Sequence, residues 1–366
     1  MTLGHRRDRL TETRQPYPRD MRRIPRARPT SLTQAFLVSA CLLACWAPGL
    51  PAAAAPLKLA TLVPDGSIWD QALKEMSAEW EAATDGRVSL RIYPGGVAGD
   101  ETDVVRKMRI GQLHAAALTV TGLAAIEPAF GVFATPLLFE SYDELFHVLA
   151  KLGPDFERRL AAKGFVLIYW GHGGWVHLFS KTPAATLSDV KSLKMFAWAG
   201  DDARVQLWRK SGFNPVALAS TDIMTGLQTG LIESYPTPPL AALSLQWFRE
   251  TPYMSDVGLA PLVGAVIVAE RSWNKLEESD RDALLDIASR FEERLANEIP
   301  NQDAEAIVQM TQRGLTVVEA EDAPAWAEAA GEFARESRGD LVPGDVLDAV
   351  LAELAAYRSR QSEGSP

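Results

Sequence analysis

Few residues of this 366-residue chain are arranged to make or break bonds. It contains no G-x-S-x-G elbow, no Walker-type phosphate loop and no H-E-x-x-H zinc motif, and its two cysteines, Cys41 and Cys45, both lie in an apolar leader. Gly171-His172-Gly173-Gly174 has the composition of an oxyanion loop. Without a nucleophile beside it, a break in a strand is the simpler reading. His172 and His177 stand five apart, so on an extended chain they point to opposite faces and do not share a metal. Asp201 and Asp202 read as helix caps rather than as ligands bridging a metal to a carboxylate. No catalytic residue, metal or cofactor is expected. The unusual content is aromatic. Trp69, Trp170, Trp175, Phe196, Trp198 and Tyr235 fall at the ends or breaks of expected strands, where a cleft is lined. Trp170 reads as core packing. Trp175, Phe196 and Trp198 read as ligand contacts, because aromatic side chains give large contact area at small entropic cost. Phe196 and Trp198, two apart, share one face of their strand.

Strands and helices in alternation must hold those side chains. Residues 57–62 predict a strand, and a helix follows over 67–83 with Ile68, Leu73, Met76 and Trp80 on one side. Residues 88–92 predict a second strand, Asp100 an N-cap, and 115–120 a third strand of small residues. Strand, helix, strand, helix, strand begins an open α/β sheet, whose ligands sit beyond the carboxyl ends of the strands. A second unit begins near Gly171. Its strands are expected over 165–170, 175–179 and 193–198, and a helix runs from Asp201 or Asp202 to about Ser211. Short helices are expected over 221–229 and 240–248, and residues 259–269 form an apolar strand long enough to cross between lobes. Helices follow over 279–298, 303–312, 323–336 and 344–357, interrupted by a strand at 315–318, and 359–366 reads as a frayed polar tail.

The N-terminal segment reads as an export signal. Four arginines (Arg22, Arg23, Arg26, Arg28) precede an apolar run from Ala35 to Trp46, and an alanine stretch at 52–55 supplies a cleavage site placed after Ala54. The apolar run is too short to span a bilayer. Met21 gives a leader of more ordinary length than Met1. A rival reading takes Leu42-Leu43-Ala44-Cys45 as a lipid-attachment site that would tether the chain to a membrane. Under the favoured cleavage the exported part has no cysteine, so stability rests on an ordinary core. It carries 28 basic against 44 acidic residues, a net charge of −16, which disfavours nucleic acid as a partner.

The order of segments resembles the periplasmic receptor of tripartite ATP-independent periplasmic (TRAP) transporters. The resemblance is carried by Leu59-Ala60-Thr61, the run from Gly86 through Tyr93-Pro94-Gly95-Gly96, Gly99-Asp100-Glu101 leading to Ile110-Gly111-Gln112-Leu113, Ser188-Asp189-Val190-Lys191-Ser192-Leu193-Lys194-Met195, and Thr221 through Gly230. It implies a two-lobed α/β fold, each lobe a mixed sheet flanked by helices, closing by a hinge on a small ligand that passes to a small and a large membrane subunit. Lobe 1 is expected to comprise 56–171 with about 263–304, and lobe 2 about 172–262 with 305–358. The family's strand after the Leu-Lys pair carries an arginine that clamps a carboxylate; here that position is Phe196, and a second arginine position is taken by Trp175 or Val176. Thr119 and Thr121 match positions on the first wall, and Thr237 stands at an asparagine position. The expected ligand-binding set is Trp69, Thr119, Thr121, His172, Trp175, Phe196, Trp198, Tyr235 and Thr237. A carboxylate buried unpaired against Phe196 would cost several kcal/mol, on the order of a lost buried ion partner. The ligand is therefore expected to be neutral, apolar or aromatic-bearing rather than a simple dicarboxylate. The alternative is a periplasmic carrier or interaction protein for a hydrophobic molecule, working without a TRAP pump.

Overall fold

Among the described residues, ten strands and twelve α-helices follow in chain order. The strands are β1 (Leu57–Thr61), β2 (Leu90–Tyr93), β3 (Ala115–Thr119), β4 (Phe165–Ser180), β5 (Lys194–Trp198), β6 (Asn214–Leu218), β7 (Ser234–Thr237), β8 (Tyr253–Ser255), β9 (Ala260–Ala269) and β10 (Thr316–Val318). The helices are α1 (Ile68–Ala83), α2 (Glu101–Arg109), α3 (Val120–Ala124), α4 (Tyr142–Ala161), α5 (Leu187–Ser192), α6 (Asp202–Lys210), α7 (Ile223–Thr229), α8 (Pro239–Ser244), α9 (Glu270–Trp273), α10 (Glu278–Thr311), α11 (Ala323–Ser337) and α12 (Gly344–Gly364). This computed structural model describes residues 56–364. The readings of cleavage after Ala54, lipidation at Cys45 and a start at Met21 fall outside the described residues.

The strands form two sheets joined through one long strand. The first runs β2-β1-β3-β9-β4, with β1 parallel to both β2 and β3 and β9 antiparallel to β3 and β4. The second continues β4-β7-β5-β6, with β8 pairing β4 and β10 pairing β8. β4 belongs to both: Phe165–Val176 pairs with β9, and His177–Ser180 pairs with β7. The break expected at Gly171–Gly174 is a bulge within this one strand, with the pairing register shifting between His172 and Trp175. Gly174, at φ 108°, supplies the left-handed backbone that the extra residue needs.

Helix ends follow local chemistry. Ser67 caps α1 by accepting from the Asp70 N–H, Ser141 caps α4 through Glu144, and Thr186 and Asp189 form a reciprocal capping box on α5. On α1, Leu73, Met76 and Trp80 are fully buried at helical spacing against Leu284, Ile287 and Phe291 of α10, and the Trp80 indole N–H donates to the Leu284 carbonyl at 3.2 Å. Burying side chains of that size contributes about 1.5–3 kcal/mol each.

Two C-terminal expectations change. The separate helices expected over 279–298 and 303–312 form one 34-residue helix that passes through Pro300. Proline removes a single backbone donor, and a long packed helix absorbs that loss. The stretch expected to fray after 358 is helical to Gly364. Arg358 anchors it by donating to Glu144 at 2.6 Å, and Arg360 reaches His147 at 3.3 Å. α12 packs on α4 and buries Val346, Leu347, Val350 and Leu354 with Phe130, Phe156 and Trp170 in the core of the first sheet. It therefore joins the first sheet's core, not the second lobe expected to include 305–358. Trp170 sits in that core as expected.

Candidate functional site

A cavity of about 530 Å³ lies between the two sheets. From the first sheet it is walled by the end of β1 at Thr61, by Trp69 of α1, and by Thr119 and Thr121 where β3 turns into α3. From the second come Phe196 and Trp198 of β5, Arg204 of α6 and Thr237 of β7. The shared strand contributes Gly171, His172 and Gly173. The volume falls within the range of small-molecule sites, about 300–1,000 Å³.

Seven of the nine residues singled out from sequence line this cavity: Trp69, Thr119, Thr121, His172, Phe196, Trp198 and Thr237. Phe196 and Trp198 meet edge to face at 5.6 Å, and the Trp69 indole N–H donates to the His172 carbonyl at 2.9 Å, tying α1 to the bulge. The His172 ring stands edge-on to Phe146 at 5.2 Å, and burial pushes its pKa down to about 4, so it is neutral at ordinary pH. The other two residues lie off the cavity wall. Tyr235 is fully buried in the second sheet's core, stacked on Phe179, with its hydroxyl 3.0 Å from Thr251. Trp175 packs edge-on against Tyr142 at 5.3 Å, because the bulge turns its side chain toward α4.

Sequence reasoning read Asp201 only as a helix cap and missed Glu101 and Arg204 as wall residues. Glu101, at the first position of α2, is buried in the wall. Its carboxyl accepts from the Thr119 N–H at 2.7 Å, the Thr119 hydroxyl at 2.8 Å and the Gly122 N–H at 2.6 Å. Burial outweighs those donors and pushes its pKa up to about 7. The other charged wall residues are Asp201 and Arg204, which face each other: the Arg204 Nε–H donates to Asp201 at 2.9 Å, while Asp201 also caps α6 by accepting from the Arg204 N–H. A carboxylate with two backbone-facing oxygens and an Asp-x-x-Arg pair at a helix start are common surface patterns, so neither spacing marks a cleft.

Contacts also cross directly between residues of the two sheets. Asp100, whose side chain caps α2, accepts from the Ser220 N–H at 2.9 Å and hydroxyl at 3.2 Å. Behind the bulge, Asp303 of α10 accepts from the Trp175 N–H at 2.9 Å and the Leu240 N–H at 2.8 Å, joining β4, α8 and α10. Burial pushes the Asp303 pKa up to about 6. Among the described residues no cluster of three metal-ligating side chains is present, and no helix is long and apolar enough to cross a membrane.

Residues 59–339 match the family model of bacterial extracellular solute-binding protein, family 7. A solute-binding protein of Chromohalobacter salexigens is 28% identical over 60% of this chain, and the alignment spans 65% of that protein. The 2,3-diketo-L-gulonate-binding periplasmic protein YiaO of Escherichia coli is 23% identical over 76% of this chain and 86% of its own length. The fold matches the Bordetella pertussis extracytoplasmic solute receptor DctP7, which binds pyroglutamic acid, with TM-score 0.76, 20% identity and coverage of 82% of this chain and 100% of that one. It also matches a TRAP periplasmic solute binding protein of Xanthobacter autotrophicus with bound β-D-galacturonate, at TM-score 0.75, 19% identity, and 81% and 99% coverage. The two joined mixed sheets with flanking helices are thus the two-lobed periplasmic binding protein fold.

Proposed function

The chain belongs to bacterial extracellular solute-binding protein family 7, and from that premise we propose that it is the periplasmic receptor of a TRAP-type secondary transporter. It captures a small ligand unchanged between its lobes and presents it to the small and large membrane subunits. The observation that carries this reading is the cavity of about 530 Å³ walled from both sheets, with Trp69 and Thr119 on one side and Phe196 and Trp198 on the other. A ligand that touches both walls stabilises the closed arrangement by its differential affinity for it. The lobes are the first sheet with α1–α4, α10 and α12, and the second sheet with α5–α8 and α11, hinged where β4, β9 and α10 pass between them.

The ligand is neutral and apolar or aromatic-bearing. Similar receptors hold galacturonate or pyroglutamic acid, which carry carboxylates. By the family resemblance, Phe196 of β5, only 3% exposed, stands at the position of the arginine that clamps a carboxylate. The wall's one arginine, Arg204, is already matched by Asp201. A free carboxylate entering this cavity must compete with Asp201 for Arg204 or remain unpaired, and an unpaired buried charge is costly. Calorimetry with D-glucuronate, D-galacturonate and succinate, without added metal, is expected to give no Kd tighter than millimolar. Micromolar binding of any of these acids overturns the ligand assignment.

A further inference from the structure

The cavity does not end at the cleft. It continues beside Met195 of β5 into the second sheet's outer core, between α5 (Leu187, Val190), α6 and α11. The α11 wall consists of Trp326, Ala329, Ala330 and Phe333, spaced i, i+3, i+4, i+7 along one helix face. Two alanines between two aromatics leave open volume where larger side chains would close a core. This chamber also holds an anomaly of pairing. The Trp326 indole N–H and the Ser211 hydroxyl are both buried, both belong to wall residues, and neither has a hydrogen-bond partner in the protein. Buried polar atoms are nearly always paired, and leaving one unpaired costs about 1–3 kcal/mol.

We infer that this chamber is a second ligand subsite, which takes the apolar body of the ligand and meets its far end, a carbonyl or hydroxyl oxygen, with the Trp326 N–H and the Ser211 hydroxyl. The indole N–H can only donate, so the group that satisfies it must accept. Trp208 and Phe333, with ring centroids 4.6 Å apart, form an aromatic flank suited to a flat or extended apolar body rather than to a polyhydroxylated sugar. This inference rests on the receptor reading, and it adds that the cargo is longer than the cleft alone would hold.

The test uses prodan, a neutral naphthalene fluorophore bearing a carbonyl, titrated into the full exported protein. The wild type is expected to bind it with raised, blue-shifted emission. Ala330→Phe, which fills the chamber without touching the cleft, is expected to weaken binding at least tenfold. Trp326→Phe keeps an aromatic ring but removes the donor, and is expected to weaken it about threefold to tenfold, the range of one hydrogen bond. Thermal melts of both variants check that they fold, and if Ala330→Phe does not, the Trp326→Phe titration decides. Wild-type affinity in the folded variants, or no binding to the wild type, overturns the chamber subsite. Failure of the ligand assignment would show separately, as tight uronate binding in calorimetry.

Discussion

Glu101 poses a question of sign that stability measurements can settle. Its carboxyl receives three hydrogen bonds, two of them from backbone N–H groups, which favour the ionised form; its complete burial favours the neutral form. Burial wins, placing its pKa at about 7 rather than the usual 4.5. The neutral acid keeps the geometry: it can donate to the Thr119 oxygen while still accepting from the Thr119 and Gly122 N–H groups. A group whose pKa is raised by folding contributes stability that is fully present below its unfolded value and is lost as pH rises through the folded one. Between pH 5 and pH 8 that loss amounts to about 2–3 kcal/mol, at about 1.4 kcal/mol per pH unit of separation. Glu101→Ala leaves the Thr119 and Gly122 N–H groups without an acceptor, at about 1–3 kcal/mol each when buried. Urea unfolding should therefore show the substitution costing about 2–5 kcal/mol at pH 5 and distinctly less at pH 8. A cost that grows with pH would mean that the N–H donors outweigh burial and that Glu101 is an ionised cap, refuting the argument.

Three further outcomes follow from the same geometry. Ser220→Ala removes one of the two hydrogen bonds to Asp100 that cross between the sheets, and is expected to weaken prodan binding about fivefold, equivalent to about 1 kcal/mol, with little change in melting temperature; unchanged affinity would show that this contact does not favour the bound state. Asp303→Ala strips the acceptor from the Trp175 and Leu240 N–H groups and should cost about 2–5 kcal/mol in urea unfolding; a cost under about 0.5 kcal/mol, the size of an ordinary surface substitution, would contradict Asp303 as the tie between β4, α8 and α10. Gly174→Ala places a Cβ at a φ of 108°, 2.7 Å from the Asp303 carboxylate and 2.8 Å from Pro238, so thermal denaturation should show at least about 1–3 kcal/mol of strain; a neutral effect would mean that the bulge yields readily.

Much of the scaffold was legible because local rules and tertiary structure agree. Leu73, Met76 and Trp80 marked the buried side of α1, Asp100 and Asp201 capped the helices expected of them, and the small-residue strand at 115–119 pairs antiparallel with the apolar 260–269 strand. Legibility failed where long-range packing overrode a local signal. The helix expected to end at 298 continues through Pro300 as α10, because Ile299, Ala306 and Met310 are buried along its length. The Gly-rich run at 171–174 marked a break, yet β9 pairs across it. Tyr235 stood at a strand end like the cleft aromatics, and only the stacking partner Phe179 and the hydroxyl partner Thr251 identify it as core. For Phe196 the resemblance supplied the position and the structure supplied a wall. The pairing of Arg204 with Asp201 in that wall depends on where α6 starts relative to β5, which the i, i+3 spacing alone does not convey.

We propose that this receptor holds a neutral, apolar-bodied cargo. Native mass spectrometry of protein exported by its own host and purified without refolding tests it most directly, because a bound molecule is weighed as it is carried. The predicted result is an adduct that, on release, is a neutral compound with an aromatic or extended apolar body and a terminal oxygen. Release of a sugar acid or a dicarboxylate would contradict it.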